Sequence, residues 1–458
     1  MDLGETRPRA HWWLAAWLAP ALAFADPAQP PDEPAGPEPA RPEAASASVA
    51  AVPGGSIEWA YSSLGVYGPT FISADGENKL TLGLFMWFDN TIVLDDEIAE
   101  PLGRDEIEGD SRTATARLEL HGAYTEDFFY YFRVDFQDNG SGSGDASVEW
   151  AALGIQNLPI VQNLLIGQQQ PIYSLDIWAN YPRHRLMLEP SLVNAFYKGP
   201  LLGITAYDID MARHFSWGLG VARDTSDEGA TGLQGVSKGQ DDGLIHGRFS
   251  WFPRYAESGR HLLMLGISGA VIEPKDDAIV YGIWPEVYTD DLDLYPLAVL
   301  ADVDKAYIGV LEFRFAEGPW WLQSDYFINR NERGTGGDLK FSSWYVEGGW
   351  FITGEQSVFS PLAISGQVAP APRFKPRDGR YGAWELQARY SELDLTSREL
   401  AGGGPPFTQG AKMHSVTLGV NWYLNQHVEM GVNYVHSIRE DLDDAAFDTI
   451  QTRIAFNI

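Results

Sequence analysis

Arginines and acids recur together along this chain at short, regular spacing. Arg117 and Glu119, Arg133 and Asp135, and Glu312 and Arg314 stand two residues apart, Glu385 and Arg389 four apart, and Glu429 and Arg453 lie near the C-terminus. In an extended strand an even spacing puts both side chains on one face. A guanidinium fork suits a carboxylate and a phosphate equally well, so two chemistries are open. Either the pairs satisfy one another as salt bridges inside a wall, or a subset of the arginines forms a track for anions.

A second basic group, Arg183-His184-Arg185, is followed by Leu188-Glu189-Pro190 in a long stretch, Asp176 to Phe196. It is the best candidate for a loop that narrows a channel, and an exterior loop facing lipopolysaccharide phosphates is the other reading. His184 has too few convergent partners for a metal ligand. Asp290-Asp291-Leu292-Asp293 and Asp441-Leu442-Asp443-Asp444 lack the glycine and closing glutamate of a calcium loop and are expected to be solvated, where they could share divalent ions with lipopolysaccharide. Gly-x-Ser-x-Gly, phosphate-loop, dinucleotide and His-Glu-x-x-His patterns do not occur, so no cofactor or metal is expected. Ser415 beside His414 and Ser437 beside His436 are chain neighbours that a strand would point to opposite faces, which makes them poor catalytic pairs.

The elements that would hold these residues are strands. At the C-terminus Val416, Leu418, Val420, Trp422 and Leu424 alternate with polar residues, and Val428, Met430, Val432 and Tyr434 do the same after a tight Asn425-Gln426 turn. The chain runs out on Ile450, Thr452, Ile454, Phe456 and Ile458. An oily terminal strand left at a sheet edge invites aggregation, so it is expected to pair with the first strand and close a barrel. Upstream, Leu80, Leu82, Leu84, Met86 and Phe88 share a face ahead of a charged loop expected over Asp89 to Asp110. Leu118 and Leu120 lead through Thr125-Glu126-Asp127 to Phe128, Tyr130, Phe132, Val134 and Phe136. Further turns are read at Glu317-Gly318-Pro319 and Gly354-Glu355, and no helix-period segment of useful length appears.

With 458 residues, no cysteine, 16 Trp, 20 Tyr and 22 Phe, the chain is aromatic-rich yet polar on average, as a membrane barrel with alternating lumen and lipid faces must be. Roughly 400 residues at about 25 per strand, turn and loop give about 16 strands, a size that leaves an aqueous channel rather than a filled core. Arg7, Arg9 and His11 precede the apolar run Trp12 to Leu22 and the small-residue site Ala23-Phe24-Ala25, so residues 1–25 read as a secretory signal peptide. Residues 26–55, rich in Pro, Ala, Asp and Glu, read as a disordered linker, and residues 56–458 as the barrel. The net charge of -31 argues against a nucleic-acid partner. It leaves ion preference open, because charges outside a narrow water column are screened within about 8 to 10 Å. A soluble all-β ligand-binding protein and an outer-membrane barrel enzyme are the rival classes; the first would not need an oily outer stripe on every strand.

Gly382-Ala383-Trp384-Glu385-Leu386 with Arg389-Tyr390, Thr417-Leu418-Gly419-Val420-Asn421-Trp422-Tyr423 with Asn433-Tyr434-Val435, Thr353-Gly354-Glu355 and Ala116-Arg117-Leu118-Glu119-Leu120 resemble the phosphate-selective porin O/P family. The resemblance covers most of the chain after Lys79. It implies a homotrimeric, 16-stranded porin of a Gram-negative outer membrane, with a pore narrowed by an inward-folded loop at Leu188-Glu189 and arginines lining it for phosphate. Where phosphate-selective members carry adjacent arginines before the first hairpin motif, this chain has Ala114 and Thr115. The expectation is therefore a passive pore for small anions or mixed small solutes, with reduced phosphate preference.

Overall fold

The alternating stretches pair edge to edge into one sheet that curls until its last strand meets its first. The structure, a computed structural model, describes residues 49–52, 55–61, 67–136, 146–176, 187–224, 235–236, 241–288, 296–335, 337–359, 365–369, 371, 373–397 and 411–458. Sixteen antiparallel strands close the ring. They are β1 (Asn78–Asp95), β2 (Ser111–Tyr124), β3 (Phe128–Asp135), β4 (Ser147–Leu158), β5 (Gln162–Gln169), β6 (Leu201–Asp210), β7 (Phe215–Arg223) and β8 (Asp241–Ala256). The second half comprises β9 (His261–Pro274), β10 (Val303–Glu317), β11 (Trp320–Arg333), β12 (Leu339–Phe351), β13 (Ala383–Asp394), β14 (Lys412–Tyr423), β15 (Val428–Arg439) and β16 (Ala445–Asn457). The seam runs from Asp448 opposite Asp95 to Asn457 opposite Phe85, and Leu84 and Ile458 exchange both backbone hydrogen bonds below it. The expected closure of the last strand on the first is what the structure has.

Burial is inverted relative to a water-soluble protein. Leu311 and Ile267 are each 58% exposed on the outer face, whereas Arg314, three residues beyond Leu311 on β10, is fully buried inside. An apolar exterior around a polar interior is the arrangement that hydrocarbon requires. The turns at Thr125–Asp127, Gly318-Pro319 and Asn425-Gln426 fall between strands as expected, with Thr125 and Gly318 at φ 61° and 55°.

Three features depart from the sequence reading. The loop expected from Asp89 does not begin there: β1 continues to Asp95, with Asp89 and Thr91 buried inside and Phe88 and Leu94 exposed outside. Polar residues end a strand only where their face is oily, and here it is the lumen. Val49–Val52, from the stretch read as linker, pairs with Gly55–Tyr61, which pairs with Tyr67–Ser73, which in turn pairs with β1 through Phe71 and Leu80. Residues 1–25, read as a signal peptide, and the stretch read as linker up to residue 48 lie outside the described residues. Finally, the inner wall is not polar throughout. Ala306, Ile308 and Val310 on β10, Phe327 on β11, Phe341 and Tyr345 on β12 and Met413 on β14 form an apolar cluster inside the barrel with residues of two loops.

At the short-turn end one connection is long. Between β12 and β13 a small hairpin, Gln356–Phe359 with Ser365–Ala369, brings Phe359 against Phe252 and Phe351, and Tyr255 donates a hydrogen bond to its carbonyl at 3.3 Å. The approach is so close that a Cβ on Gly259, at φ 95°, would collide with the Phe359 carbonyl.

Candidate functional site

The loop joining β5 to β6 turns into the barrel. Its entry is held by one carboxylate: the Ser174 hydroxyl and the Leu175 and Asp176 amides all donate to Asp325 Oδ2 of β11, at 3.0, 2.8 and 3.2 Å. Asp176 in turn accepts from the amide and hydroxyl of Ser191, both at 2.7 Å, tying the start of the loop to its return. The return is the short 3-10 turn Leu192–Phe196, whose residues are all buried. Apolar side chains there would be wrong for an exterior loop, and they pack against the apolar inner wall.

The tip is pinned from the opposite wall. Arg453 of β16 donates from Nη1 to the Leu188 carbonyl at 2.6 Å and from Nη2 to Glu189 Oε1 at 2.8 Å. Arg389 of β13 donates from Nη2 to the Glu189 carbonyl at 2.9 Å, and Gln451 and Arg112 each reach Glu189 Oε1 at 3.3 Å. Leu188-Glu189 therefore occupies the inward position that the resemblance implies.

A second loop, joining β9 to β10, also folds inward and was not foreseen. Glu286 accepts from Arg389 Nε at 2.9 Å and from the hydroxyls of Thr417 and Ser391. Ser437 donates to the Pro285 carbonyl at 3.1 Å, and Thr91, across the seam, donates to the Tyr288 carbonyl at 3.0 Å. Tyr281 is fixed between Asn329 and Asn331 of β11, at 3.0 and 2.6 Å. The signal was present in the run Val280 to Tyr288, Val-Tyr-Gly-Ile-Trp-Pro-Glu-Val-Tyr, which is too apolar for a loop in water.

The candidate arginines fall into separate groups. Arg117 pairs with Asp135 at 3.1 Å and with Glu149 at 3.2 Å. Arg133 pairs with Glu119 and with Glu149, while His121 Nε2 lies 3.0 Å from Glu119 and the Arg133 guanidinium stands over the Trp150 ring. Arg389 is joined to Glu286 and, at 3.2 Å, to Glu347; Arg453 is joined to Asp89 at 2.6 Å as well as to Glu189. Arg314 donates to Gln323 and lies 4.6 Å from the centre of the Phe359 ring. Glu312 pairs with Arg248 instead, at 2.8 Å. Glu385 accepts from neutral donors, the Trp321 indole, Tyr423 at 2.7 Å and Gln387 at 2.8 Å. Glu429 lines a small cavity with Trp87, Leu188, Asn421 and Arg453. Arg183 and Arg185 lie outside the described residues, between the buried Asp176 and Met187. Asp89, Arg112, Glu149, Arg248, Glu286, Asp325 and Glu347 were not among the sequence candidates; each is a partner contributed by a different part of the wall or by a loop.

The serine and histidine neighbours point apart as expected. Ser415 meets Ser437 across β14 and β15 at 2.7 Å, while His414 and His436 pair with Glu440 and Asp448. Asp441 is held by Arg439 at 2.6 Å, and residues 289–295, with the other acidic cluster, lie outside the described residues.

The family description "Phosphate-selective porin O and P" matches residues 95–458. Porin O of Pseudomonas aeruginosa is 24% identical over 348 residues, 70% of this chain and 75% of that protein. An uncharacterised protein of Caulobacter vibrioides is 25% identical over 274 residues, 59% of this chain, and the match spans about half, 52%, of that protein's length. Among solved structures, the anion-selective porin from Comamonas acidovorans superposes with a TM-score of 0.53 at 12% identity, covering 83% of this chain and 100% of that one. The trimer form of OmpT from Vibrio cholerae gives 0.52 at 9% identity, with the same coverage of each. At these identities the two structures are alike in fold.

Proposed function

The chain belongs to the phosphate-selective porin O and P family, and from that premise we propose that it is a passive outer-membrane pore for small anions or mixed small solutes, with a phosphate preference weaker than the family description suggests. One observation carries the selectivity part. Arg117, Arg133, Arg389 and Arg453 each pair with two carboxylates. A guanidinium already shared between two carboxylates offers a passing phosphate no net positive charge. Ala114 and Thr115, where phosphate-selective members have arginines, support the same reading. Arg183 and Arg185 are further candidates for favouring anions, in a stretch bounded by the buried Asp176 and Met187.

The test is a reversal potential for single channels in a potassium chloride gradient, combined with phosphate titration of the chloride current. Mild selectivity and little phosphate block are expected. Strong block by phosphate at concentrations far below chloride would overturn the proposal, and a strongly cation-selective channel would remove its anion part.

The same reading takes the mature chain to begin near Asp26 and to assemble as a homotrimer, supported by the trimeric form of the OmpT structure. Its belt of outward Leu, Ile, Phe and Trp would meet lipid, and its loops would meet lipopolysaccharide. Native mass spectrometry in several detergents should give three copies of a chain lacking the first 25 residues. Monomers only, or retention of Met1, would count against it.

A further inference from the structure

We infer that Arg389 is a positioning residue that couples the two inward loops, so that the tip at Leu188-Glu189 and the tip at Pro285-Glu286 move as one constriction. The inference rests on the pore reading above. Arg389 is 2% exposed and spends its donors in three directions: Nε on the Glu286 carboxylate at 2.9 Å, Nη1 on Glu347 of β12 at 3.2 Å, and Nη2 on the Glu189 main-chain carbonyl at 2.9 Å. Two of these partners belong to loops that leave the barrel wall between different strand pairs, and the third is the wall itself.

The carbonyl contact is the informative one. A residue that merely balanced the charge of Glu286 and Glu347 would have no need of a neutral acceptor on the other loop. A planar fork with fixed donor directions can span all three partners; a lysine ammonium, with the same charge, cannot hold three such separated acceptors at once. The second loop has anchors of its own, Thr417 on Glu286 and Ser437 on the Pro285 carbonyl, and among the described residues neither hydrogen-bonds the first loop. If Arg389 couples the loops, loosening the second through those anchors must be felt at the tip of the first.

The chain has no cysteine, so a single thiol can report on that tip. Met187, beside Leu188, is 2% exposed, and Met187→Cys should be protected from a membrane-impermeant thiol reagent in the otherwise unchanged trimer or monomer. Coupling predicts that Thr417→Val with Ser437→Ala, which remove two anchors of the second loop and otherwise only the Ser415–Ser437 contact within the wall, raise the labelling rate at Met187→Cys. Arg389→Lys should raise it further and add subconductance levels to single-channel records, with little change in reversal potential because the charge is kept. Heat-modifiable gel mobility confirms that each variant retains its barrel. Protection of Met187→Cys in both variants would overturn the coupling while the pore stands. Wild-type conductance in Arg389→Lys, with lower chloride permeation in Arg389→Ala, would also overturn it and make Arg389 an anion ligand. A wild-type protein that forms no channel in planar bilayers would take down the pore reading and this inference together.

Discussion

Arg453 and Asp89 face each other across the seam between the last strand and the first, with Nε 2.7 Å from Oδ1 and Nη2 2.6 Å from Oδ2, a fork-to-fork pair that is buried on both sides. The same guanidinium also holds the Leu188 carbonyl and Glu189. One side chain thus joins barrel closure to loop position.

Removing that guanidinium leaves Asp89 and Glu189 buried without their main partner. Arg453→Ala should cost about 3 to 5 kcal/mol in barrel stability, the range for breaking a buried ion pair. Urea-induced unfolding in lipid vesicles measures it. Arg453→Met with Asp89→Leu should cost less than the single change, because Asp89 is no longer a buried unpaired charge and Glu189 keeps Arg112 at 3.3 Å.

Arg183→Ala with Arg185→Ala should move the reversal potential in a potassium chloride gradient towards cations. Residues 177–186 are bounded by Asp176 and Met187, both buried within the lumen. Charges in a narrow column are poorly screened, whereas the same pair on an exterior loop would leave the potential unchanged.

Trp384 and Trp422 stack on the outer face with ring centres 4.9 Å apart, and the Trp422 indole donates to the Tyr381 carbonyl at 2.6 Å. Trp320 and Trp350 stack likewise at 5.0 Å. Such rings suit the boundary between hydrocarbon and headgroups. Brominated lipids should quench tryptophan fluorescence, and the replacement of Trp384 and Trp422 by Phe should reduce the quenched fraction.

At the other end of the barrel Glu440 sits 2.9 Å from Lys412 and 3.2 Å from His414. The Lys412 hydrogen bond, with a smaller effect from His414, holds the Glu440 carboxyl below its ordinary value of 4.5. A depressed folded value means a contribution to stability that is present above the unfolded value and lost as pH falls through the folded one. Wild type should therefore lose stability relative to Glu440→Gln as the pH drops below 4.5, read as converging melting temperatures.

The ring itself was legible because alternation is local. Leu311 and Arg314 need only their neighbours to show which face is wet, and the oily terminal strand implied a partner at the other end of the chain. Partner identity was not legible. Arg453 meets Asp89 across 364 positions and Arg389 meets the Glu189 carbonyl across 200, and no local pattern encodes either pairing. Family resemblance placed Leu188-Glu189 inside. The second loop went unread because its apolar run has neither strand alternation nor a charged motif to mark it, although its Trp-Pro-Glu had no reason to be in water. The strand beyond Asp89 was cut short for the opposite reason: its polar residues were assigned to solvent outside when they belong to the lumen.

The seam also has a meaning in time. A ring whose closing ion pair spans 364 positions cannot shut until nearly the whole polypeptide is present, and bringing such distant segments together carries the loop-closure entropy that makes non-local pairing slow. During that wait β1 has β2 on one side and an open edge on the other. The N-terminal hairpin occupies the lower part of that edge, with Thr70, Phe71 and Ile72 paired to Thr81, Leu80 and Lys79, and leaves free only the stretch that β16 will claim. The first strand thus carries a built-in register stop: the N-terminal hairpin holds Lys79, Leu80 and Thr81, and β16 zips down the edge as far as Leu84, which exchanges backbone hydrogen bonds with Ile458.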